Sequence, residues 1–247
     1  MHNPHLYAII IGSEILNGRR VDKHVEFIKS VLSQRGYVPY CIEIITDDKA
    51  LITSSFKRVL DDPDGMLFCF GGIGSTPDDL TRAIAANVFT GKDVTRHKTF
   101  ERDIIERFGD SAFPNRIEMS DLPEGSRLLK NPVNNMSGFY LEDRYFFTPG
   151  FPEMAHPMIN EAIERFLPQN AKQYRKSFLA RCSEERFIEL MKRAPQDVEC
   201  SSLPVFVNEK ANVEISIASY SAQSVKEYLA LYIAFLESAS IDYEVTI

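Results

Sequence analysis

The chain has 247 residues, of which 44% are hydrophobic and 26% charged, so it can bury a sizeable core. Its formal net charge is −7 and it has no basic run, which argues against nucleic acid as a partner because nucleic-acid binding needs clustered Lys and Arg. No apolar segment approaches the roughly 20 residues of a membrane-spanning helix, and the apolar run near the N-terminus is too short for a signal peptide. We therefore expect a cytoplasmic protein without a membrane partner.

The first third of the chain alternates buried strands with amphipathic helices. Strands are predicted at Leu6–Ile11, Val38–Ile45 and Met66–Phe70, and helices at Asp22–Gln34, Lys49–Leu60 and Pro77–Val88. This order is typical of an open α/β domain with a mostly parallel sheet. Such sheets bind ligands at the carboxyl ends of their strands, where the turns after the three strands meet.

A polar stretch at 168–173 predicts a boundary between two domains, residues 1–168 and residues 174–247. Before it, we predict short strands at Leu128–Asn131, Gly138–Leu141 and Tyr145–Thr148 and a closing helix at Glu153–Phe166. After it, the order strand, helix, strand, strand, helix, strand predicts a small α+β module of the ferredoxin-like (βαββαβ) type. The apolar stripe of its second helix, within Val225–Leu236, either packs on the small sheet or forms a dimer face, and we expect a homo-oligomer.

The four cysteines offer no metal site. Cys41, Cys69, Cys182 and Cys200 form no C-x-x-C pair, so a zinc site is not indicated and the thiols are expected to be reduced. Cys41 and Cys69 lie in strand-like apolar runs and are expected to be buried.

The clearest candidate binding segment is the loop after the third strand, Gly71-Gly72-Ile73-Gly74-Ser75-Thr76-Pro77-Asp78-Asp79-Leu80-Thr81. Glycines let a ligand approach the backbone closely, and the N–H groups of the loop and of the following helix start can point at one anion. The loop is neither a Walker A loop nor a dinucleotide-binding fingerprint. A glycine turn before an ordinary helix is the alternative interpretation. The residues predicted to bind the ligand here are Gly71, Gly72, Gly74, Ser75, Thr76, Asp78 and Thr81.

Two carboxylates in this loop, Asp78 and Asp79, would repel a bound anion unless a cation lay between the carboxylates and that anion. We assign Asp79 to a Mg²⁺ ion that contacts the ligand's phosphates. Asp78 would stand at the start of the helix, where the helix dipole favours a negative charge.

Two further turns are predicted at the same edge of the sheet. Gly12, Ser13 and Glu14 follow the first strand, and Asp47 and Asp48 follow the second. A solvated turn and a helix N-cap are the alternative interpretations of these two segments.

The chain resembles the molybdopterin-binding, CinA-like family in ordered segments from about residue 6 to 167. Gly12-Ser-Glu-Ile-Leu-Asn-Gly is similar to the family's first turn, Asp47-Asp48 to its second, and Gly71–Thr81 to its G-G-I/L-G-P-T-x-D-D-L/I-T loop. Further similar segments contain Asn115, Arg116 and Met119; Asn131-Pro132-Val133 with Gly138-Phe139; and Pro149-Gly150-Phe151-Pro152-Glu153-Met154. The chain departs from the family at Ser75, where proline is usual, and at Lys23-His24, where Thr-Asn is usual. The amidase domain that follows in full-length CinA proteins has no counterpart in this sequence.

The resemblance implies a three-layer α/β/α domain with a ligand pocket at the strand ends. It implies that Gly12, Ser13, Asn131, Pro149 and Gly150 join the ligand-binding set and that Asp79, Glu14 and Asp47 are catalytic. It also implies Mg²⁺ on Asp79, with Asp48 as an alternative to Asp47. Relatives bind molybdopterin or related pyrophosphate compounds, and some hydrolyse ADP-ribose with a divalent metal.

Three functions are therefore open. The first is a metal-dependent pyrophosphatase for ADP-ribose-like nucleotide sugars, with Glu14 as base. The second is a non-catalytic binder of molybdopterin or a nucleotide. The third is a protein of molybdenum cofactor biosynthesis. All three share a small phosphorylated ligand at the Gly71 loop.

Overall fold

A computed structural model of the chain describes residues 4–207 and 210–246. The chain divides into two compact units, residues 1–169 and 170–247. No helix within the described ranges is long and apolar enough to cross a membrane.

The first unit contains one large sheet with helices on both faces. Its strands are β1 (His5–Ile11), β2 (Cys41–Ile45), β3 (Gly65–Phe70), β4 (Thr95–Arg96), β5 (Asp121–Leu122), β6 (Arg127–Leu129), β7 (Gly138–Leu141) and β8 (Tyr145–Thr148). Its helices are α1 (Ser13–Leu16), α2 (His24–Gln34), α3 (Lys49–Leu60), α4 (Thr81–Ala85), α5 (Lys98–Phe108) and α6 (Pro152–Phe166). The large sheet has the order β2-β1-β3-β8-β7-β6, and β4 and β5 pair as a separate two-stranded sheet. The first four strands are parallel, and β7 and β6 are antiparallel to their neighbours. This confirms the predicted mostly parallel α/β domain.

The central strands are continuously apolar because helices cover both of their faces. On one face Ile9 and Leu67 pack with Phe56 of α3. On the other, Phe68 packs with Ile28 of α2, and α6 completes the layer. The three-layer arrangement therefore leaves the carboxyl ends of β1, β2, β3 and β8 as the edge where the connecting turns gather.

The helix predicted at Pro77–Val88 is shorter than expected. It begins at Thr81, and from Ala86 to Thr90 it continues as a π-helix. Residues 77–80 form turns instead, because the Asp79 amide bonds to Thr76 and the Leu80 amide to Asp78. A second difference is that β2 begins at Cys41 rather than at Val38.

The second unit has the predicted βαββαβ order. Its elements are β9 (Tyr174–Ala180), α7 (Ile188–Lys192), β10 (Glu199–Val207), β11 (Lys210–Ser219), α8 (Ala222–Ser238) and β12 (Tyr243–Thr246). The strands form an antiparallel sheet of order β10-β11-β9-β12, as in ferredoxin-like modules. Tyr228 and Tyr232 of α8 are buried against Phe178 and Ile215. The apolar stripe of this helix therefore packs on the small sheet.

Cys69 is buried, as expected, whereas Cys41 is only partly buried.

Candidate functional site

Gly71 follows β3 directly, at a point where only glycine fits. Its φ is 102°, and a Cβ atom there would lie 2.2 Å from the carbonyl oxygen of Ile11. Gly72 has a φ of 70°, and its Cβ would lie 2.2 Å from Thr81 Oγ1. The two glycines therefore let the chain turn sharply while it stays against β1.

The carboxylate of Asp79 holds the loop that follows. Its Oδ1 accepts a hydrogen bond from the Gly74 amide at 2.8 Å, and its Oδ2 accepts from the amide and the hydroxyl of Thr76 at 2.8 and 2.6 Å. The Gly74 amide, one of the loop N–H groups predicted from the sequence to point at an anion, is instead turned toward Asp79. Asp79 itself fixes the shape of the loop.

Three amides of the same loop remain open to a ligand. The backbone N–H groups of Gly72, Ile73 and Ser75 donate to no acceptor in the described part of the chain. All three residues line the main cavity of the first unit. Neighbouring unpaired amides of this kind form an anion-binding concavity.

A buried arginine, Arg82, ties the loop to a distant segment. Its Nη2 donates to the carbonyl oxygen of Gly74 at 2.6 Å, and its Nη1 donates to the carbonyl oxygens of Glu118 and Asp121. Its side chain is only 9% exposed, and burial lowers its pKa from the ordinary value. Arg82 therefore fixes the glycine loop relative to the 3₁₀ helix Arg116–Ser120, which forms another wall of the cavity.

The turn after β1 meets the turn after β2 through Ser13. The amide and hydroxyl of Ser13 donate to Asp47 Oδ2 at 2.8 and 2.7 Å. Asp47 Oδ1 takes no hydrogen bond from the described residues. One carboxylate oxygen of Asp47 therefore stays available at the cavity.

Glu14 and Arg20 close the same side of the cavity. Arg20 Nη1 lies 3.5 Å from Glu14 Oε1 and 3.5 Å from the carbonyl oxygen of Gly150. The Arg20 guanidinium also lies 4.9 Å from the ring centroid of Phe151. These contacts join the turn after β1 to the turn after β8 at the cavity mouth.

The cavity has a volume of about 730 Å³ and combines a charged side with an apolar side. The charged side carries four carboxylates and three guanidinium groups, and the apolar side includes Phe100, Phe108, Met119 and Met136. The predicted site residues that line it are Glu14, Asp47, Gly71, Gly72, Gly74, Ser75, Thr76, Asp78, Asp79, Pro149 and Gly150. Such a cavity suits a ligand with an ionic part and a planar or apolar part.

Five predicted site residues do not line the cavity, and each has a place within the fold instead. Asp48 caps α3 by accepting from the Leu51 amide, and the buried hydroxyl of Thr81 bonds the carbonyl of Gly71. Gly12 is buried at the end of β1, and Ser13 is used to hold Asp47.

Asn131 is the fifth of them. Its side-chain amide bonds Asn134 Oδ1 and the carbonyl of Met136, so it organises its own turn.

Sequence reasoning missed most of the residues that complete the cavity. Arg19, Arg20, Phe100, Phe108 and Phe151 reach it from three different parts of the chain. Arg116 and Met119 were noted only as parts of a resembling segment, without a role. The one available signal was the Arg19-Arg20 pair, because two consecutive arginines in the connection after β1 are candidates for anion contacts.

Two histidines lie behind the Gly150 turn. His24 Nε2 lies 3.4 Å from the carbonyl oxygen of Gly150, and His24 Nδ1 lies 3.2 Å from His156 Nε2. Since a carbonyl oxygen only accepts, His24 donates to Gly150, and His156 donates to His24. Burial lowers the pKa of His24, and burial together with His24 lowers the pKa of His156 to about 4. The pair is therefore neutral near pH 7.

The carboxylates of the cavity do not form a ready-made metal cluster. Within the described residues, the only group of three His, Cys, Asp or Glu side chains with ligand atoms within 4.8 Å of one another is His5, Asp62 and Asp64. This group lies at the opposite, amino-terminal edge of β1 and β3. A metal ion in the cavity would therefore have to complete its coordination with water, backbone carbonyl or ligand oxygens.

Comparisons with known proteins agree on the first unit. A family model described as "Probable molybdopterin binding domain" matches residues 7–169. A CinA-like protein of Thermosipho melanesiensis is 30% identical over 175 residues, which are 68% of this chain and 43% of that protein. A protein of Caldivirga maquilingensis is 28% identical over 180 residues, which are 71% of this chain and 70% of that protein.

A solved structure shares the fold of the same region. The crystal structure of a protein described as CinA, of unknown function, from Thermoplasma acidophilum is 26% identical, with a TM-score of 0.58. The match covers 66% of this chain and 98% of that one. The chain spans less than half the length of several CinA-like relatives, for example 38% of the one from Syntrophus aciditrophicus.

Proposed function

The chain belongs to the molybdopterin-binding domain family, and on that premise we propose that it binds a small pyrophosphate-bearing molecule, such as a nucleoside diphosphate derivative, at the glycine loop. The observation that carries this proposal is the set of unpaired amides of Gly72, Ile73 and Ser75 at the cavity wall. A bound phosphate would give these N–H groups acceptors. The apolar side of the cavity, with Phe100 and Met119, suits the ring system of such a ligand.

The charge of the cavity favours a metal-assisted reaction. Four carboxylates against three guanidinium groups leave the lining with one excess negative charge. A pyrophosphate adds further negative charge, and a divalent cation offsets it. Mg²⁺ in proteins is usually held by one or two carboxylates together with substrate phosphates, so the absence of a three-residue cluster among the described cavity residues fits this ion.

Asp47 is the residue that we assign to this ion, because its Oδ1 has no protein donor. Asp79 would have to give up hydrogen bonds from Gly74 or Thr76 to reach a metal, so we assign it to loop geometry. Bound Mg²⁺ would stabilise charge on the phosphorus oxygens and activate water. Glu14, held beside Arg20 at the cavity, would accept the proton of the attacking water. The reaction that we propose is hydrolysis of the pyrophosphate bond of an ADP-ribose-like compound.

One observation favours a second candidate, a non-catalytic binder of molybdopterin or a nucleotide. Asp79, the loop aspartate assigned to Mg²⁺ from the sequence, already accepts three hydrogen bonds inside the loop. A loop stabilised in this way can hold a ligand without any metal.

The experiment is an assay for AMP after incubation with Mg²⁺ and ADP-ribose, FAD or NAD. The decisive variants are Asp47→Asn and Asp48→Asn, which are adjacent and remove the same charge. Asp47→Asn should lower the rate by about 100-fold or more, because the cavity carboxylate is lost. Asp48→Asn should stay within about twofold, because Asp48 lies outside the cavity and asparagine also caps helices.

Equal rates for the two variants would refute the role given to Asp47. No AMP from the folded wild-type protein, together with saturable binding of a nucleotide or molybdopterin, would establish the binding function in place of the enzyme.

A further inference from the structure

Arg116 stands at the cavity with its guanidinium group already oriented. Its Cζ lies 4.9 Å from the ring centroid of Phe108, and its Nη1 donates to the carbonyl oxygen of Ser111 at 2.7 Å. Both Arg116 and Phe108 line the cavity. A stacked and hydrogen-bonded guanidinium loses less freedom on binding a ligand than a free one does.

The remaining donors of this guanidinium have no protein partner. A guanidinium has five N–H groups, and within residues 4–207 and 210–246 only the bond to Ser111 is formed by Arg116. No carboxylate of the described residues lies within salt-bridge distance of Arg116, whereas Arg20 is paired with Glu14 across the same cavity. The charge of Arg116 is therefore available to a ligand anion.

The position of Arg116 relative to the glycine loop is fixed by Arg82. Arg116 begins the 3₁₀ helix Arg116–Ser120, and Arg82 bonds the carbonyl of Glu118 in that helix and the carbonyl of Gly74 in the loop. One buried side chain thus sets the spacing between the unpaired amides of the loop and the segment that presents Arg116.

We infer that Arg116 is a ligand-binding residue that contacts a phosphate group of the pyrophosphate ligand directly, from a different wall than the loop amides. The inference rests on the proposed function, because it takes the ligand to be held at the glycine loop. Its chemistry is that of a planar guanidinium fork, which matches two oxygens of one phosphate. This contact does not pass through a metal ion, so it persists when divalent cations are removed.

Binding of ADP-ribose and of inorganic pyrophosphate, measured by calorimetry with Mg²⁺ and with EDTA, tests this inference. The variants are Arg116→Gln, Arg116→Lys and the matched control Arg102→Gln. Arg102 is exposed on the neighbouring helix α5 and does not line the cavity. Arg116→Gln should weaken both probes by about 10- to 100-fold in either buffer, as expected for loss of a charge-assisted hydrogen bond. Arg116→Lys should bind with intermediate affinity, because it keeps the charge and loses the fork. Arg102→Gln should stay within about twofold of the wild type.

The outcomes separate this inference from the function on which it rests. If the wild type binds a probe and Arg116→Gln binds it with the same affinity, the role of Arg116 is overturned and the proposed function stands. Binding of inorganic pyrophosphate but not of ADP-ribose would overturn the ligand class proposed above, while the pyrophosphate affinities still decide the role of Arg116. Binding of neither probe by the folded wild type would overturn both. Thermal unfolding of each variant is the control for folding. A midpoint close to that of the wild type shows that a lower affinity does not come from loss of the fold.

Discussion

The cavity is bounded by two turns that follow neighbouring strands and yet are held in very different ways. The glycine loop (residues 71–81) is fixed from within by Asp79, by the buried Thr81 hydroxyl and by Arg82. The first turn (residues 12–21) is exposed over most of its length: Val21 is 80% exposed, and the contacts of Arg20 are 3.5 Å long.

This difference teaches how far each turn can move when a ligand binds. A wall built from buried hydrogen bonds keeps its donors in one place. A wall built from exposed long-range contacts costs little to rearrange, because such ion pairs contribute only about 0–1 kcal/mol. The first turn can therefore adjust to a ligand more easily than the glycine loop can.

The largest expected contrast between the two turns comes from their glycines. Gly71→Ala should lower the free energy of unfolding by about 3 kcal/mol or more, since a Cβ would collide with the Ile11 carbonyl at a φ of 102°. Gly18→Ala, in the first turn, has a φ of 77° with no atom within 4 Å of the new Cβ, so it should cost only about 1 kcal/mol. Urea unfolding of both variants measures the difference. Similar losses in the two variants would show that the glycine loop is not the tighter wall.

A smaller contrast is expected within the glycine loop itself. Asp79→Asn places an amide group against donors at Gly74 or Thr76 and should destabilise the protein by about 2 kcal/mol. Asp78 is an exposed neighbour of Asp79, so Asp78→Asn should change the free energy of unfolding by less than about 0.5 kcal/mol. Amide hydrogen exchange at Gly74 and Thr76 should rise in Asp79→Asn alone. Unchanged exchange would mean that Asp79 does not hold the loop.

The smallest effect is expected from acid. It should originate at the pair of His24 and His156 behind the Gly150 turn and not in the glycine loop. The pKa of His156, about 4, lies below its ordinary value of 6.5 because of burial, so the unfolded chain takes up the proton first as the pH falls. The free energy of unfolding should therefore decrease between pH 6.5 and 4, by about 1 kcal/mol from pH 7 to pH 5 once solvent screening is allowed for. His156→Phe, which retains an aromatic ring on Phe27, should flatten this dependence.

Hydrogen exchange locates the acid effect. Protection near His24 should fall at pH 5, while the Gly74 and Thr76 amides, which bond a carboxylate rather than a histidine, should keep theirs. Equal loss at both places would contradict an origin in the histidine pair.

The strand pattern and the glycine loop were predictable because they depend on local rules. Leu6–Ile11 and Met66–Phe70 are apolar throughout because both faces of the sheet are covered, and that pattern is visible in one dimension. Two glycines directly after a buried strand predicted a sharp turn, and Gly71 and Gly72 both adopt the positive φ that glycine accepts at little cost.

The roles of individual polar side chains were not predictable in the same way. Asp47 and Asp48 are chemically identical neighbours, and only the fold decides that one lines the cavity while the other caps α3. Asp79 was expected at a metal, yet its geometry directs it to the amides of its own loop. Phe108 is the last residue of helix α5, and Arg116 comes from a segment without regular periodicity, so the meeting of these two residues at the cavity depends on tertiary packing.

Arg82 couples the opening of two walls of the cavity, the glycine loop and the 3₁₀ helix Arg116–Ser120. Its guanidinium joins the Gly74 carbonyl to the carbonyls of Glu118 and Asp121, and its buried Nε has no partner of its own within the described residues. Opening of either segment must break at least one of these bonds and leave the buried guanidinium with an unsatisfied donor, which is costly. The glycine loop and the 3₁₀ helix therefore form one cooperative unit of local unfolding.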